Sequence, residues 1–311
     1  MSLRILLTGK DGQVGGDLQA LLPRLGEVVA LGRSSMDLTD EGQVRRMVSE
    51  VRPHAIVNAA AYTAVDRAET DQEVARLVNA EAPAVLAREA QRTSAILIHY
   101  STDYVFDGSK TSPYTEEDRP NPASAYGRTK LAGEEAIRLS GAPHLIFRTA
   151  WVYATRGRNF LLTILRLATQ REELRVVADQ TGAPTWSREI ARATAAVIGR
   201  LADPGPKGLV AGEVSGTYHM TAGGTGTWHD FANAILDQAA RVPASRPWFA
   251  AATGGHPLLA RTVRPITTSE YPTPARRPAY SVLSNEKLWR VFGIRLPDWR
   301  DQLHEALLDE Q

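Results

Sequence analysis

Tyr126 and Lys130 stand four residues apart in the stretch SAYGRTK, with only small or polar residues between them. On a helix, positions i and i+4 share one face with Cβ atoms about 5–6 Å apart, so the ammonium can lie beside the phenol. A tyrosine hydroxyl ordinarily titrates near pH ~10, and a fixed cation next to it favours ionisation and proton transfer at working pH. The pair therefore reads as an acid/base device. The same spacing also suits a tyrosine on a core-facing edge with a solvated lysine beside it, so other residues must discriminate.

Further toward the N-terminus, Gly9, Gly12 and Gly15 form a Gly-x-x-Gly-x-x-Gly series, and Gln13 and Val14 open the helix that follows. In a dinucleotide turn the first glycine permits the sharp bend and the second lets the backbone approach a pyrophosphate. The third packs helix on strand, and the helix N-terminus offers free N–H groups and a positive dipole end. A plain turn is the other reading. The next apolar run ends in Leu31-Gly32-Arg33-Ser34, where such folds meet the adenosine ribose. An acidic residue there suits NAD, whereas Arg33 and Ser34 suit the 2′-phosphate of NADP, unless Arg33 is simply an exposed loop residue. Asp37 and Leu38 follow where adenine would lie.

Two more apolar runs end in small or hydroxylated residues. Asn58 to Thr63 brings Ala61, Tyr62 and Thr63, which leave room for a ligand above a parallel strand or else for close helix packing. Tyr100 to Tyr104 delivers Ser101 and Thr102 to the same rim, as ligand contacts or as ordinary caps.

The elements that must position these residues alternate. Strands are expected at 3–8, 28–31, 55–57, 95–100 and 145–148, with helices at 14–22, 41–51, 71–91 and from Lys130 to about Ser140. Apolar strands alternating with amphipathic helices predict an α/β fold: a doubly wound, Rossmann-type parallel sheet covered on both faces. Later helices are expected near 159–171, 187–201 and 228–240, separated by Gly- and Pro-rich segments such as Asp203-Pro204-Gly205-Pro206. We expect a dinucleotide-binding domain from 1–150 plus roughly 186–222, and a smaller mixed α/β substrate domain from roughly 151–185 and 223–311. The proline-rich stretch 264–278 excludes regular helix or a central strand, leaving an extended surface segment or a loop that closes over a ligand.

At 311 residues the chain is long enough for one large or two modest domains. Its 36 Lys and Arg balance 35 Asp and Glu, so no bulk charge draws it to nucleic acid or an anionic membrane. The absence of cysteine removes disulfides, thiolate catalysis and Cys-ligated zinc, and the seven histidines show no metal-ligand spacing. The segment MSLRILLTG is too short in its apolar run for a spanning helix and lacks a signal-peptide cleavage pattern, which predicts a cytoplasmic location.

Taken in order, GKDGQVG at 9–15, VNAAAYTAVDRAE at 57–69, HYSTDYVFDG at 99–108, YGRTKLAGE at 126–134, LIFRTAWVY at 145–153, DQTGAPT at 179–185, AGGTGTWHDFA at 222–232 and YPTPARRPAYSVL at 271–283 span nearly the whole chain. On these motifs it resembles the extended short-chain dehydrogenase/reductases and, more narrowly, the dTDP-4-dehydrorhamnose reductases. The resemblance implies an oxidoreductase of polysaccharide biosynthesis that reduces the C4 ketone of dTDP-4-dehydro-L-rhamnose to dTDP-L-rhamnose. It implies NADPH as the reductant, with NADH possible. Tyr126 would supply the proton, Lys130 would hold the nicotinamide ribose and lower the tyrosine pKa, and Thr102 would hydrogen-bond the ketone oxygen. Asp103 and Trp151 would contact the sugar nucleotide. Position and charge alone, in the loop 264–278, suggest that Arg276 or Arg277 pairs with its phosphates.

Two departures from the family pattern bear on these expectations. Some members are magnesium-bridged dimers held through acidic residues, but the matching positions here are Asp17, Arg188 and Arg300. An arginine cannot ligate a cation, so no Mg²⁺ is expected, and the chain reads as a monomer or homodimer. Gly32-Arg33 replaces an acidic residue found in some relatives, which favours NADPH. The competing readings are a nucleotide-sugar epimerase or dehydratase of the same superfamily and a non-catalytic NADP-binding regulatory subunit.

Overall fold

The computed structural model describes residues 3–203 and 209–309; Pro204, Gly205 and Pro206 of the expected Pro/Gly-rich linker lie outside the described residues. The first half alternates as its periodicity predicts. In chain order it runs β1 (Leu3–Thr8), α1 (Gln13–Leu21), β2 (Gly26–Leu31), α2 (Glu41–Val51) and β3 (Ala55–Asn58). Then come α3 (Gln72–Arg76), α4 (Ala82–Thr93), β4 (Ile96–Thr102), α5 (Ala125–Leu139) and β5 (His144–Thr149).

The second half is built from shorter pieces: β6 (Val152–Tyr153), α6 (Phe160–Ala168), β7 (Glu173–Val177), β8 (Thr181–Gly182), β9 (Thr185–Trp186) and α7 (Ser187–Ala202). It closes with β10 (Gly216–His219), β11 (Gly226–Thr227), α8 (Trp228–Ala239), α9 (Pro247–Thr253), β12 (Thr262–Ile266), α10 (Glu286–Phe292) and α11 (Trp299–Leu308).

Six strands form one parallel sheet in the order β2-β1-β3-β4-β5-β10. The chain leaves β1 toward β2 and then returns to the other side of β1 with β3. That reversal opens a crevice at the carboxyl ends of the strands, the place where doubly wound sheets bind ligands. Five of these strands are legible as apolar runs; β10 is not, because its four residues, GTYH, carry little apolar signal. Its pairing with β5 stabilises it instead.

Apolar side chains pack on both sheet faces. Leu7, Val57, Ile98 and Phe147 meet α1 and α7 residues such as Leu18 and Ile190, while Leu6, Ile56, Leu97 and Ile146 meet α2 and α4 residues such as Val44 and Leu86. This strict in-and-out alternation is what a two-sided parallel strand needs. A separate cluster gathers Tyr153, Leu165, Trp186, Phe231 and Trp299 around α6, α8 and α11. Helix α10 instead leans on the sheet side, where Leu288 and Phe292 join Tyr218.

The stretch 264–278 divides. Its first residues complete β12, which pairs with β7 in a two-stranded parallel ribbon that places Pro265 opposite Val176. Both strands are edges, so Pro265 is tolerated without a donor. Beyond a short 3₁₀ turn at Thr268–Glu270, the chain reaches the cleft, where Asp66 Oδ1 accepts from Ala275 N at 3.3 Å.

Candidate active site

The glycine turn is shaped by lack of side chains. Gly9 has φ +72°, and a Cβ there would collide with the backbone of Ala59 and Ala60, so the turn presses directly on the end of β3. Gly12 is the N-cap of α1 and supplies no side-chain cap, leaving the first helical N–H groups facing outward. Gly15 is buried beneath the turn, where any Cβ would strike the Gly9 carbonyl. It serves helix packing and does not line the cleft.

A cleft of about 870 Å³ runs from this turn across the sheet's carboxyl end. Gly9, Gly12, Gln13, Val14, Arg33, Asp37, Leu38, Ala61, Tyr62 and Thr63 line one part of it, and Thr102, Asp103, Tyr126, Lys130 and Trp151 line the other. The sequence-predicted residues thus meet in one space, with three corrections. Gly15 lies under the turn, Ser34 is exposed outside the cleft, and Arg276 is also exposed outside it. Arg277 is the arginine that lines the cleft. It donates to Asp66 Oδ2 at 2.8 Å and to the Tyr104 hydroxyl at 3.1 Å, and these two partners draw it inward.

Helix α5 carries Tyr126 and Lys130. Ser124 starts it as N-cap, its hydroxyl accepting from Gly127 N at 3.1 Å, so both residues fall on regular helix and face the same side. Packing is close because Gly127 and Gly133 bring the helix backbone against the Tyr104 and Asn79 carbonyls. Asn79 sits in a π-helical turn, Leu77–Glu81, between α3 and α4; its amide bonds Tyr62 N and O, fixing the cleft loop 61–63.

Lys130 Nζ donates to the Tyr100 carbonyl at 2.6 Å and lies 3.1 Å from His99 Nε2. Burial pulls the lysine down to about 8, with Glu134 opposing. Glu134 sits one further turn along α5, held by Arg148 at 2.9 and 2.7 Å. The Tyr126 phenol moves the other way. Burial first, then the charge of Asp103, raise its pKa above the ordinary value, while Thr102 works against them. The expected lowering by Lys130 does not set the direction here: burial does, and the phenol stays protonated at neutral pH.

Thr102 and Asp103 end β4 together. Thr102 Oγ1 donates to Asp103 Oδ1 at 2.9 Å and accepts from Tyr104 N at 3.1 Å. Both are buried, and burial raises the Asp103 carboxyl to about 6. Thr149, at the matching end of β5, also lines the cleft and its Oγ1 has no partner among the described residues. Such an orphaned hydroxyl suits a ligand's polar group.

The far wall is aromatic. Trp151, with φ +50°, stacks on Trp228 at 3.6 Å between ring centroids. Trp228 is the first residue of α8, whose capping box joins Thr227 and Asp230. Sequence reasoning did not assign Trp228, Tyr104, Arg158 or Thr149 to the site, though all line it. Only the tertiary approach of α8 to β6 brings Trp228 to Trp151. For Glu134 a signal existed, since it continues the four-residue spacing of Tyr126 and Lys130 along one face.

At the positions matching a metal-bridged dimer, Asp17 is buried and occupied. Ser187 Oγ donates to it at 2.5 Å and Arg156 pairs with it at 3.0 Å, while Arg188 contacts both Asp17 and Asp309. No cluster of three or more metal-ligating side chains occurs among the described residues, and none of their helices is long and apolar enough to cross a membrane.

Comparison with known proteins agrees with this geometry. The family model described as the RmlD substrate binding domain matches residues 3–311. A dTDP-4-dehydrorhamnose reductase of Burkholderia thailandensis is 50% identical over 298 residues, covering 96% of each chain. One from Shigella flexneri is 45% identical over 302 residues, covering 96% of this chain and 95% of that one. Among solved structures, a Bacillus anthracis dTDP-4-dehydrorhamnose reductase in complex with NADP superposes with a TM-score of 0.85 at 32% identity, covering 99% of both chains. With a glycine turn, a strand-end Thr102 and the Tyr126–Lys130 pair opening on one cleft, and with relatives matching end to end, the chain belongs to the dTDP-4-dehydrorhamnose reductase family.

Proposed function

We propose that this cleft reduces the C4 ketone of dTDP-4-dehydro-L-rhamnose to dTDP-L-rhamnose with NADPH, the last step in making that nucleotide sugar for polysaccharide synthesis. The convergence of Tyr126, Thr102 and Lys130 with the glycine turn carries the reading. The residues fit a dinucleotide: the turn has no room for side chains at Gly9, and the α1 N-terminus is open to a pyrophosphate. Gly12, Gln13 and Val14 would hold the diphosphate, Arg33 the 2′-phosphate, and Asp37, Leu38 and Ala61 to Thr63 the rim around the adenosine. Bound there, the reduced nicotinamide supplies the hydride.

The chain's own residues manage the proton. Burial keeps the Tyr126 hydroxyl protonated, so it can give H⁺ to the ketone oxygen as negative charge develops there. Thr102, now donating to Asp103, would re-aim its hydrogen to that oxygen. Lys130 would bind the nicotinamide ribose and stabilise the phenolate left after transfer. Trp151 and Trp228 would wall the sugar, Asp103 would bind its hydroxyls, and Arg277 would exchange Asp66 for a diphosphate oxygen.

We assign cofactor binding to residues 1–150 with 186–222, and nucleotide-sugar binding to 151–185 with 223–311, α10 excepted. The separate apolar cluster around α6, α8 and α11 supports the division. The enzyme would work in the cytoplasm as a monomer or homodimer on a dissolved nucleotide sugar.

The test is a purified-protein assay with dTDP-4-dehydro-L-rhamnose and NADPH. Stoichiometric NADPH oxidation with loss of ketone is expected. Interconversion of sugars without net cofactor consumption would assign an epimerase or dehydratase, and NADPH binding without turnover would assign a regulatory subunit.

A further inference from the structure

Behind Tyr126, four buried polar side chains cross the sheet in a row, and the proposed reaction uses only the last of them. Thr8 Oγ1 donates to Asn58 Oδ1 at 2.6 Å, Asn58 Nδ2 lies 3.0 Å from His99 Nδ1, and His99 Nε2 lies 3.1 Å from Lys130 Nζ. Each of the four is 1% exposed, so water does not complete their hydrogen bonds.

Donor directions along the row follow from its far end. Asn58 Oδ1 accepts from Thr8 and also from Ala60 N at 3.3 Å, which turns the amide NH₂ toward His99. Nδ1 of His99 therefore accepts. Burial holds the imidazole pKa well below the ordinary value, so the ring is neutral and, with Nδ1 accepting, carries its one hydrogen on Nε2. That hydrogen faces Lys130 Nζ. An ammonium has three donors and no lone pair, and cannot accept it; a neutral amine can, while still donating to the Tyr100 carbonyl.

We propose that His99 is a positioning residue, donating Nε2–H to Lys130 and holding it as a neutral amine that gains a proton only when the dinucleotide binds. The other groups facing this lysine permit it. Glu134 on the same helix favours the ammonium, but its carboxylate is matched by Arg148 from β5 and by Arg138 at 3.1 Å. Tyr126 is neutral and Tyr100 presents only its carbonyl. Burial pulls the lysine down to about 8, so above that pH the amine is its resting form. A bound dinucleotide brings anionic phosphates and ribose acceptors, which favour the ammonium. The second half of the proposal rests on the cofactor assignment made above; the first does not.

Two measurements test it, neither using turnover. ¹⁵N NMR of histidine-labelled protein without cofactor, at pH ~9, above the lysine's titration, should show His99 as the Nε2–H tautomer; the Nδ1–H tautomer overturns the proposal. Calorimetric titration with NADPH in buffers of different ionisation enthalpy, at the same pH, should show uptake of about one proton. Asp103, which titrates near 6, stays out of that window. Asn58→Asp should abolish the uptake, because a carboxylate has no donor and forces His99 into the Nδ1–H form, whose Nε2 accepts from an ammonium. Wild type binding NADPH without uptake, or Asn58→Asp retaining full uptake, overturns it. Failure of NADPH to bind at all would strike the proposed function and leave the tautomer result standing.

Discussion

Trp151 and Trp228 lie face to face, 3.6 Å between ring centroids and 8° from parallel, although 77 positions separate them in the sequence. Phe160 leans on the outer ring at 4.6 Å, so the pair is backed by the second core. Trp151 is held in a left-handed conformation and Gly182 leaves it room. Removing the supporting ring by Trp228→Ala should weaken nucleotide-sugar binding by about 3- to 10-fold, the worth of one aromatic pair. NADPH affinity should be unchanged. Separate titrations with nucleotide sugar and NADPH check the split, and equal losses for both would contradict it.

Tyr126→Phe keeps the ring against Tyr104 but deletes the hydroxyl proposed as the proton donor. The turnover number should drop by roughly 10²- to 10⁴-fold. Binding of NADPH, followed by fluorescence, should stay within about twofold, since the hydroxyl supplies little of it.

Asp103 places a stability cost inside the site. Its carboxyl titrates near 6 in the folded chain and near 3.8 without the fold. Between those values the folded protein holds the extra proton, so this group's contribution to stability falls as pH rises from about 4 to about 6 and stays low above. Asp103→Asn removes the ionised form. It should stabilise the protein by about 1–3 kcal/mol at pH 8 and by little at pH 4, while lowering activity. Denaturant titrations at the two pH values read the difference; equal effects at both would argue against a desolvated carboxylate.

Arg33 lines the end of the cleft proposed for the adenosine, and the Asp11 carboxylate lies directly over Gly32 beside it. An arginine attracts a 2′-phosphate and a carboxylate repels it. Arg33→Ala should lower kcat/KM for NADPH by about 10-fold, on the scale of one charge-assisted pair, with little change for NADH. Asp11→Ala should shift the ratio toward NADPH. Parallel kinetics with the two cofactors decide.

Arg277→Ala should raise the KM for nucleotide sugar by at least about 10-fold, whereas Arg276→Ala should leave it within about twofold. The contrast follows from their positions, one lining the cleft against Asp66 and Tyr104, the other exposed outside it. An equal effect of both would place the diphosphate elsewhere.

Chemistry that depends on neighbours along the chain was legible in the sequence alone. Gly9, Gly12 and Gly15 follow a strand and open a helix, and Tyr126 and Lys130 share a helix face, because turn geometry and the 3.6-residue repeat are local properties. Alternating apolar runs likewise fixed the doubly wound sheet, apart from β10, whose burial comes from pairing with β5 rather than from its own residues. Tertiary structure decided everything that depends on distant segments meeting. It put Trp228 on Trp151, chose Arg277 over Arg276 by offering it Asp66, and lined up Thr8, Asn58 and His99 behind Lys130. It also reversed the expected direction of the Tyr126 pKa, because desolvation is a property of the folded surroundings and no spacing along the chain encodes it.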